Sequence, residues 1–390
     1  MDKEAEVVIL GAGIAGLTVA YYLAESGKKD VVVIDKKEIG CMASGTNAAL
    51  VSTVSPAFGT GPESGPLLAM GAFTTSEYER WNKEWGRDLE FERCGSLVLT
   101  ETEELFEARK PYIETRCKQG ITGLRLIQGD ELMELEPNLA SDIYGAEFRP
   151  MASHVNVMYL MCALADKVRE LGINIYEYTK VVDIKTERGR VKSVVTTGGE
   201  IRAKYIVNAC GIGAPAVGEM VGIKIPIIPN REQMLVTEEV PKLINRPMLS
   251  ASYFTALDRE GASEETVAFA ANPQKKGNIL LVGVNDYPGE NRTISLKAFQ
   301  AVPETAMRYL PFLRTQHVHI IRGYANFYVH TPDSYPILGE VDGLDGFIMA
   351  GGFCDIGMTF GAGVGKSISE LIAFGESTVP IEYFRLSRFN

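Results

Sequence analysis

The chain has 390 residues, 46% of them hydrophobic, and a formal net charge of -11. That length accommodates one large two-part fold or two domains. The acidic balance argues against a nucleic-acid partner and against an anionic membrane surface, and no apolar run reaches the roughly 18 residues that span a bilayer.

The first apolar run, "VVIL" at 7–10, reads as a buried strand. It starts at about residue 6, which leaves no length for a secretory leader, so cytoplasmic residence is expected. Gly11, Gly13 and Gly16 follow directly, and "IAGLTVAYYLAES" then has helical periodicity and stops at Gly27. A second apolar run, 31–34, ends in Asp35. Strand, glycine turn, helix, strand and acid within about 30 residues is the layout that holds a dinucleotide. Gly11 permits the tight turn, Gly13 lets a pyrophosphate approach the backbone, and Gly16 lets the helix pack on the sheet. The helix N-terminus, with Ala12, Ile14 and Ala15 in the turn, favours the phosphate charge. Asp35 is placed to accept hydrogen bonds from a ribose, with Lys36 beside it. The spacing alone does not separate FAD from NAD.

Residues 40–71, "GCMASGTNAALVSTVSPAFGTGPESGPLLAMG", are small, polar and glycine-rich, which predicts backbone wrapped around a ligand or a flexible loop. Helical patterns follow in "TTSEYERWNKEW" and "TETEELFEARKPYIETRCKQG", with a strand in "FERCGSLVLT" between them. An amphipathic helix, "NVMYLMCALADKVRELG", leads into a series of strands with turns at Arg188-Gly189 and Gly198-Gly199, ending at Gly211. From about Ile225 to Ile321 the pattern alternates as strands do, with one helix near Leu296–Tyr309. Short apolar runs return in "YPILGEV" and "GFIMAGGF", and a final helix over roughly 360–374 closes at Gly375.

The six cysteines form no Cys-x-x-Cys pair, so reduced thiols are expected and zinc or iron–sulfur sites lack support. His317 and His319 alternate on one face of an expected strand, but no third ligand stands at metal spacing.

Four further stretches carry a resemblance. "ASGTNAAL" at 43–50 is similar to the "ASGxNAG" segment of the D-amino-acid-oxidase-like FAD enzymes. "VVDI" at 181–184 resembles their strand against the adenine, and "VNACG" at 207–211 resembles their "VNAAG" turn. "TPDSYPILGEVDGLDGFIMAGGFCDIGMTFGAGVGKSISELI" looks like their C-terminal signature, "TPDxxPIIG" followed by "GFSGHGFxxxPxxG". The resemblance covers nearly the whole chain. It implies FAD as cofactor, contacted by Ser44, Thr46, Asn47, Ala49, Leu50, Val181, Ala209 and Gly211 as well as by the first turn. It also implies contacts from Gly352, Phe353, Asp355, Ile356, Gly357 and Met358, where a helix N-terminus would stabilise negative charge on a reduced flavin.

The implied fold is α/β with an α+β insertion: a Rossmann-like FAD-binding domain of the glutathione-reductase type plus a mainly antiparallel substrate domain. The expected segments are 1–80, 145–215 and 325–390 for the FAD domain, and 81–144 and 216–324 for the substrate domain.

Within that family, "RGYANFYVHTPD" puts Tyr328 where the amino-acid oxidases with "LRPxTPD" carry an arginine. The segment is closer to the "WAGLYEMTPD" of sarcosine oxidase β subunits, dimethylglycine dehydrogenases and dye-linked proline dehydrogenase β subunits. The closing "YFRLSRF" resembles their "F-x-x-x-RF". The resemblance therefore implies oxidation of the C–N bond of a small amino acid or secondary amine, by hydride transfer to flavin N5. It further implies electrons passed to a dye, a quinone or a partner subunit of a heteromeric complex. Tyr253, Tyr328 and His330 are the expected catalytic or substrate-lining residues, with Tyr328 able to donate to a carboxylate and His330 to do so or to take up a proton. Arg231 and Arg322 are expected in structural ion pairs. Two other readings stay open: a 2-hydroxy-acid or glycerol-3-phosphate-type dehydrogenase on the same scaffold, and a non-catalytic flavoprotein subunit.

The sequence departs from the family at Asp35, where glutamate is usual, and at Asp355 and Ile356, which replace a glycine and a histidine or glycine. No histidine precedes His154 and no cysteine lies between Cys210 and Cys354, so the flavin is expected to be non-covalent, and no metal is expected.

Overall fold

A computed structural model describes residues 3–389 except 56–57, 254–265 and 290. Two eight-stranded sheets organise it. At the centre of the first lies Glu4–Leu10, paired in parallel with Val31–Ile34 on one side and Gly199–Asn208 on the other. Asn174–Tyr176 extends one edge. Phe347–Gly351 and Ile337–Glu340 extend the other. The antiparallel strands Val181–Glu187 and Arg190–Thr196 hang from Gly199–Asn208 as a flap.

The helices Ile14–Glu25, Ser64–Glu84, Val157–Glu170 and Gly357–Phe374 cover one face of this sheet in a single apolar core. Small residues set how close they come. A Cβ on Gly365 would lie 2.4 Å from Thr18, and one on Gly363 2.7 Å from Met70. One on Gly361 would lie 2.4 Å from Ile14. The last helix thus touches two neighbours at backbone distance, and Thr18 seals the crossing by donating to the Gly361 carbonyl at 2.8 Å.

The second sheet runs Ile320–His330, Ile228–Thr237, Ile279–Asp286, Thr266–Pro273, Met248–Ser250, Ser96–Thr100, Gly145–Arg149 and Arg125–Gln128. All its pairings are antiparallel except Met248–Ser250 with Ser96–Thr100. Its outer face is closed by the helix Leu296–Tyr309.

Several expectations change. The expected boundaries at 145 and 325 cut into this second sheet, because Gly145–Arg149 pairs with Ser96–Thr100 and Ile320–His330 pairs with Ile228–Thr237. The glycine-rich stretch 40–71 is not loop throughout, since a helix begins at Ser64, whose hydroxyl donates to the Gly61 carbonyl. That helix buries Leu67, Leu68 and Met70 from within the stretch. His317 and His319 do not share a strand face. His317 sits in a turn with φ of 51°, and the strand starts at Ile320. His319 instead bonds Glu238 at 2.7 Å. Among the described residues no group of three potential ligands stands at metal distance, and no helix is long and apolar enough to cross a membrane.

Candidate active site

The glycine turn after the first strand is as tight as its spacing suggests. Gly11 has φ of +107°, and a Cβ there would lie 2.4 Å from the Ala209 carbonyl oxygen. A Cβ on Gly16 would lie 1.9 Å from the Gly11 carbonyl oxygen, so only glycine lets the helix Ile14–Glu25 start this close to the turn. At Gly13 a Cβ would approach the Ser44 hydroxyl to 3.0 Å. That hydroxyl accepts from the Ile14 N–H at 2.9 Å, satisfying one of the helix's first donors.

Asp35, at the end of the second strand, holds the same turn. Its two oxygens accept from the Ala12 N–H at 2.7 Å and the Lys37 N–H at 2.9 Å. Burial pushes the Asp35 carboxyl above the ordinary range, against the pull of those two bonds. Each oxygen retains a lone pair, and Asp35 lines the cavity beside it.

That cavity, about 310 Å³, runs between the two sheets. At one end Gly11, Gly13, Asp35, Lys36, Val181 and Gly211 form its wall. In its middle stand Ser44, Asn47, Ala49 and Leu50 from the loop, and Phe353, Asp355, Ile356, Gly357 and Met358 from the start of the last helix. Ile14, Ala15 and Ala209 also line it. The second sheet contributes Asn326, Tyr328 and Arg149, the last tied to Glu147 at 2.7 Å, and Tyr253 joins them from just beyond the strand Met248–Ser250.

Two asparagines of the second sheet grip the loop: Asn326 donates to the Thr46 hydroxyl and Asn272 to the Ala48 carbonyl at 2.5 Å.

Five expected site residues are not on the wall. Ala12 is buried and contributes its N–H to Asp35. Gly16 packs on Gly11. Thr46 donates to the Met42 carbonyl at 2.9 Å and accepts from Asn326. Gly352, at φ of +70°, turns the chain against Thr331 and Ile337. His330 lies one strand residue beyond the wall, and burial drives its imidazole down to about 4, so it stays neutral. Of the two spare cations, Arg231 is buried against Asp286 at 2.8 Å. Arg322 stands 5.4 Å from the centre of the Tyr324 ring.

The residue that sequence reading passes over is Glu232. Its strand, Ile228–Thr237, places it fully buried between the two expected tyrosines, and Tyr253 and Tyr328 donate their hydroxyl protons to its two oxygens. Burial pushes the Glu232 carboxyl up to about 7, with the Asp355 charge adding to the rise and the tyrosine bonds opposing it. Burial, and then the charge of Glu232, hold both tyrosines well above their ordinary range, so they stay protonated. Tyr328 therefore turns its proton inward and presents lone pairs to the cavity, whereas a carboxylate ligand needs a donor. The signal available in the sequence was the polar pair Asn230 and Glu232 on alternate positions of one strand face, within the polar run 230–233.

A nucleotide-binding turn and a buried polar cluster therefore share one elongated cavity. The family model for FAD dependent oxidoreductases, the DAO family, matches residues 6–371. The chain belongs to this family of FAD-dependent oxidoreductases. Dimethylglycine dehydrogenase of Rattus norvegicus is 29% identical over 385 residues, covering 96% of this chain and 43% of the longer enzyme. The chain thus spans less than half the length of that relative. Glycine oxidase of Geobacillus kaustophilus is 27% identical over 398 residues, covering 100% of this chain and 98% of its own. Among solved structures, L-proline dehydrogenase from P. horikoshii superposes with a TM-score of 0.87 at 26% identity, covering 100% of this chain and 98% of its own. The FAD family assignment agrees with the wall. The close approach at Gly13, the two-bond anchoring of Asp35 and the helix start at Gly357 are what a pyrophosphate, a ribose and an anionic ring edge require.

Proposed function

We propose that the chain is an FAD-dependent dehydrogenase of a small secondary amine or amino acid. The observation that carries this reading is the single cavity joining the dinucleotide turn to the tyrosine–glutamate cluster. Gly11, Gly13, Asp35 and Ser44 would hold the nucleotide end, and Val181 and Gly211 the adenine side. Gly357 and Met358 would present N–H groups to the flavin ring. FAD bound there supplies the two-electron acceptor for oxidation of a C–N bond. The chain's own contribution is orientation and exclusion of water: the second sheet covers the cavity, and Tyr253 and Tyr328 offer hydroxyl oxygens to a substrate N–H.

The same reading assigns 1–80, 150–215 and 331–390 to the FAD unit and the rest to the substrate unit. It places the enzyme in the cytoplasm, supported by six free thiols. It takes a dye, quinone or partner subunit rather than oxygen as electron acceptor, supported by the "TPD" segment and the closing "YFRLSRF".

The test is anaerobic mixing of the purified yellow protein with N-methyl and cyclic amino acids, simple secondary amines, 2-hydroxy acids and glycerol 3-phosphate. Bleaching of the flavin by members of the first two groups alone is the expected result. Bleaching by the hydroxy compounds would move the chain to the alcohol-oxidising branch. No bleaching by any of them, in a protein that a chemical reductant does bleach, would point to a non-catalytic subunit.

A further inference from the structure

The chemistry of C–N oxidation requires a proton acceptor, and besides the wall carboxylates Asp35 and Asp355 the structure holds another carboxylate just behind the wall. A secondary amine arrives at neutral pH as an ammonium ion, and its nitrogen lone pair is unavailable until a proton leaves. Neither tyrosine can take that proton and keep it, because both phenols are buried and held protonated. His330 lies off the wall.

Glu232 is different. It is sealed from the cavity yet joined to it twice, Oε1 through the Tyr253 hydroxyl and Oε2 through the Tyr328 hydroxyl. Both tyrosines stand on the cavity wall. With both protons given to Glu232, each hydroxyl oxygen keeps acceptor capacity on a residue of the cavity wall, and the two hydroxyls also lie within hydrogen-bond reach of each other.

We propose that Tyr253, Tyr328 and Glu232 form a proton relay that removes the ammonium proton of the bound amine, with Glu232 as its terminus. This rests on the amine reading above. In the step, the substrate N–H bond breaks and its electron pair stays on nitrogen. The proton joins a tyrosine hydroxyl oxygen, and that tyrosine's own proton passes to a Glu232 oxygen. One N–H and one tyrosine O–H break, one tyrosine O–H and one carboxyl O–H form, and the total charge is unchanged. The step converts an ammonium and a carboxylate into a neutral amine and a neutral acid.

The surroundings suit a group that must change charge during the reaction. Tyr328, Tyr324 and Asn326 stand beside Glu232 from the strand Ile320–His330, Asn285 from Ile279–Asp286, Tyr253 from beyond Met248–Ser250, and Asp355 from the turn before the last helix. Asp355 is the charged member of this set, and it favours uptake of a proton by Glu232. Asn285 lies opposite Glu232 in register, 2% exposed, with neither side-chain atom hydrogen-bonded among the described residues. No cation compensates the carboxylate within this set. An anionic Glu232 is therefore poised to accept, and the neutral acid it becomes is the form this buried site prefers.

The experiment uses the FAD-loaded protein and has two arms. The first is the pH profile of flavin reduction by a secondary amine under anaerobic conditions. In the parent, the apparent second-order rate constant should rise with pH and level off above about 7. In Glu232→Gln the enzyme must draw on amine already neutral in solution, so the rise should continue to the pKa of the substrate ammonium. The Tyr253→Phe/Tyr328→Phe double variant should behave in the same way, and Glu232→Asp should keep a level region at high pH. A Glu232→Gln profile that still levels near neutrality overturns the relay.

The second arm needs no turnover. tert-Butylamine carries no hydrogen on the carbon bearing nitrogen and cannot be oxidised, and its ammonium form persists across the pH range used. Its affinity, read from the flavin difference spectrum, should fall on the order of tenfold as Glu232 is protonated, the size of one charge-assisted hydrogen bond. It should be weak and flat with pH in Glu232→Gln. A flat profile in the parent overturns the relay even if every amine bleaches the flavin. A sloping parent profile without bleaching by any amine sustains the proton site and removes the proposed reaction instead.

Discussion

Glu232→Gln makes a stability prediction whose sign follows from burial alone. The parent carboxyl rises from an ordinary 4.5 to about 7 in the folded chain. Below the lower value both folded and unfolded chains hold the proton. Between the two values the folded chain keeps a proton that the unfolded chain has released, so stability falls as pH rises. Above about 7 both have released it and the loss is complete. The size of that loss is roughly 3 kcal/mol, at about 1.4 kcal/mol for each pH unit of the window. Glutamine has nearly the same shape and no charge at any pH. The difference in unfolding free energy between variant and parent should therefore move in the variant's favour by roughly 3 kcal/mol between mildly acid and mildly alkaline solution.

Taking this difference cancels the titrating groups that do not interact with Glu232. Urea titrations of both proteins at matched pH, with FAD at one saturating concentration, measure it through the midpoints and a shared slope. A difference that stays constant with pH would show that Glu232 is not held in the folded state with a raised affinity for protons. The two tyrosine bonds would then offset its burial completely.

Three other outcomes follow from the cofactor end. Asp35→Ala should weaken FAD binding and, in addition, destabilise the FAD-free protein by about 1–3 kcal/mol, since the buried Ala12 N–H loses its acceptor; an FAD-free protein of unchanged stability would show that the turn does not depend on this carboxylate. Gly365→Ala should cost about 1–3 kcal/mol by forcing the last helix off Thr18, and a variant with parental urea midpoint would refute that crossing. Acid precipitation should release the flavin into the supernatant. Cys354 on the wall is buried and Cys210 half-buried, and desolvation pushes both thiols up to about 12 and keeps them unreactive. Colour retained in the pellet would require a covalent anchor.

What the sequence by itself determined lies within short spans. Strand, glycine turn, helix and acid over residues 7–35 specify the nucleotide end, because each depends on local periodicity and on the φ that glycine allows. The start of the last helix and the loop at 43–50 were legible through the family resemblance of their segments. Tertiary structure decided what those residues do for one another. Asp35 holds the turn through the Ala12 N–H, a bond across 23 residues that no spacing rule contains. The two tyrosines were legible as candidates, but their purpose was not, because Glu232 lies 21 residues from one and 96 from the other. A strand fixes only which face a side chain takes. Which partners meet on that face depends on the register of Ile228–Thr237 against Ile320–His330, and on where the chain returns with Tyr253. The buried carboxylate reads in sequence as one member of the polar run 230–233, and it becomes chemistry only when the sheet closes over it and water is gone.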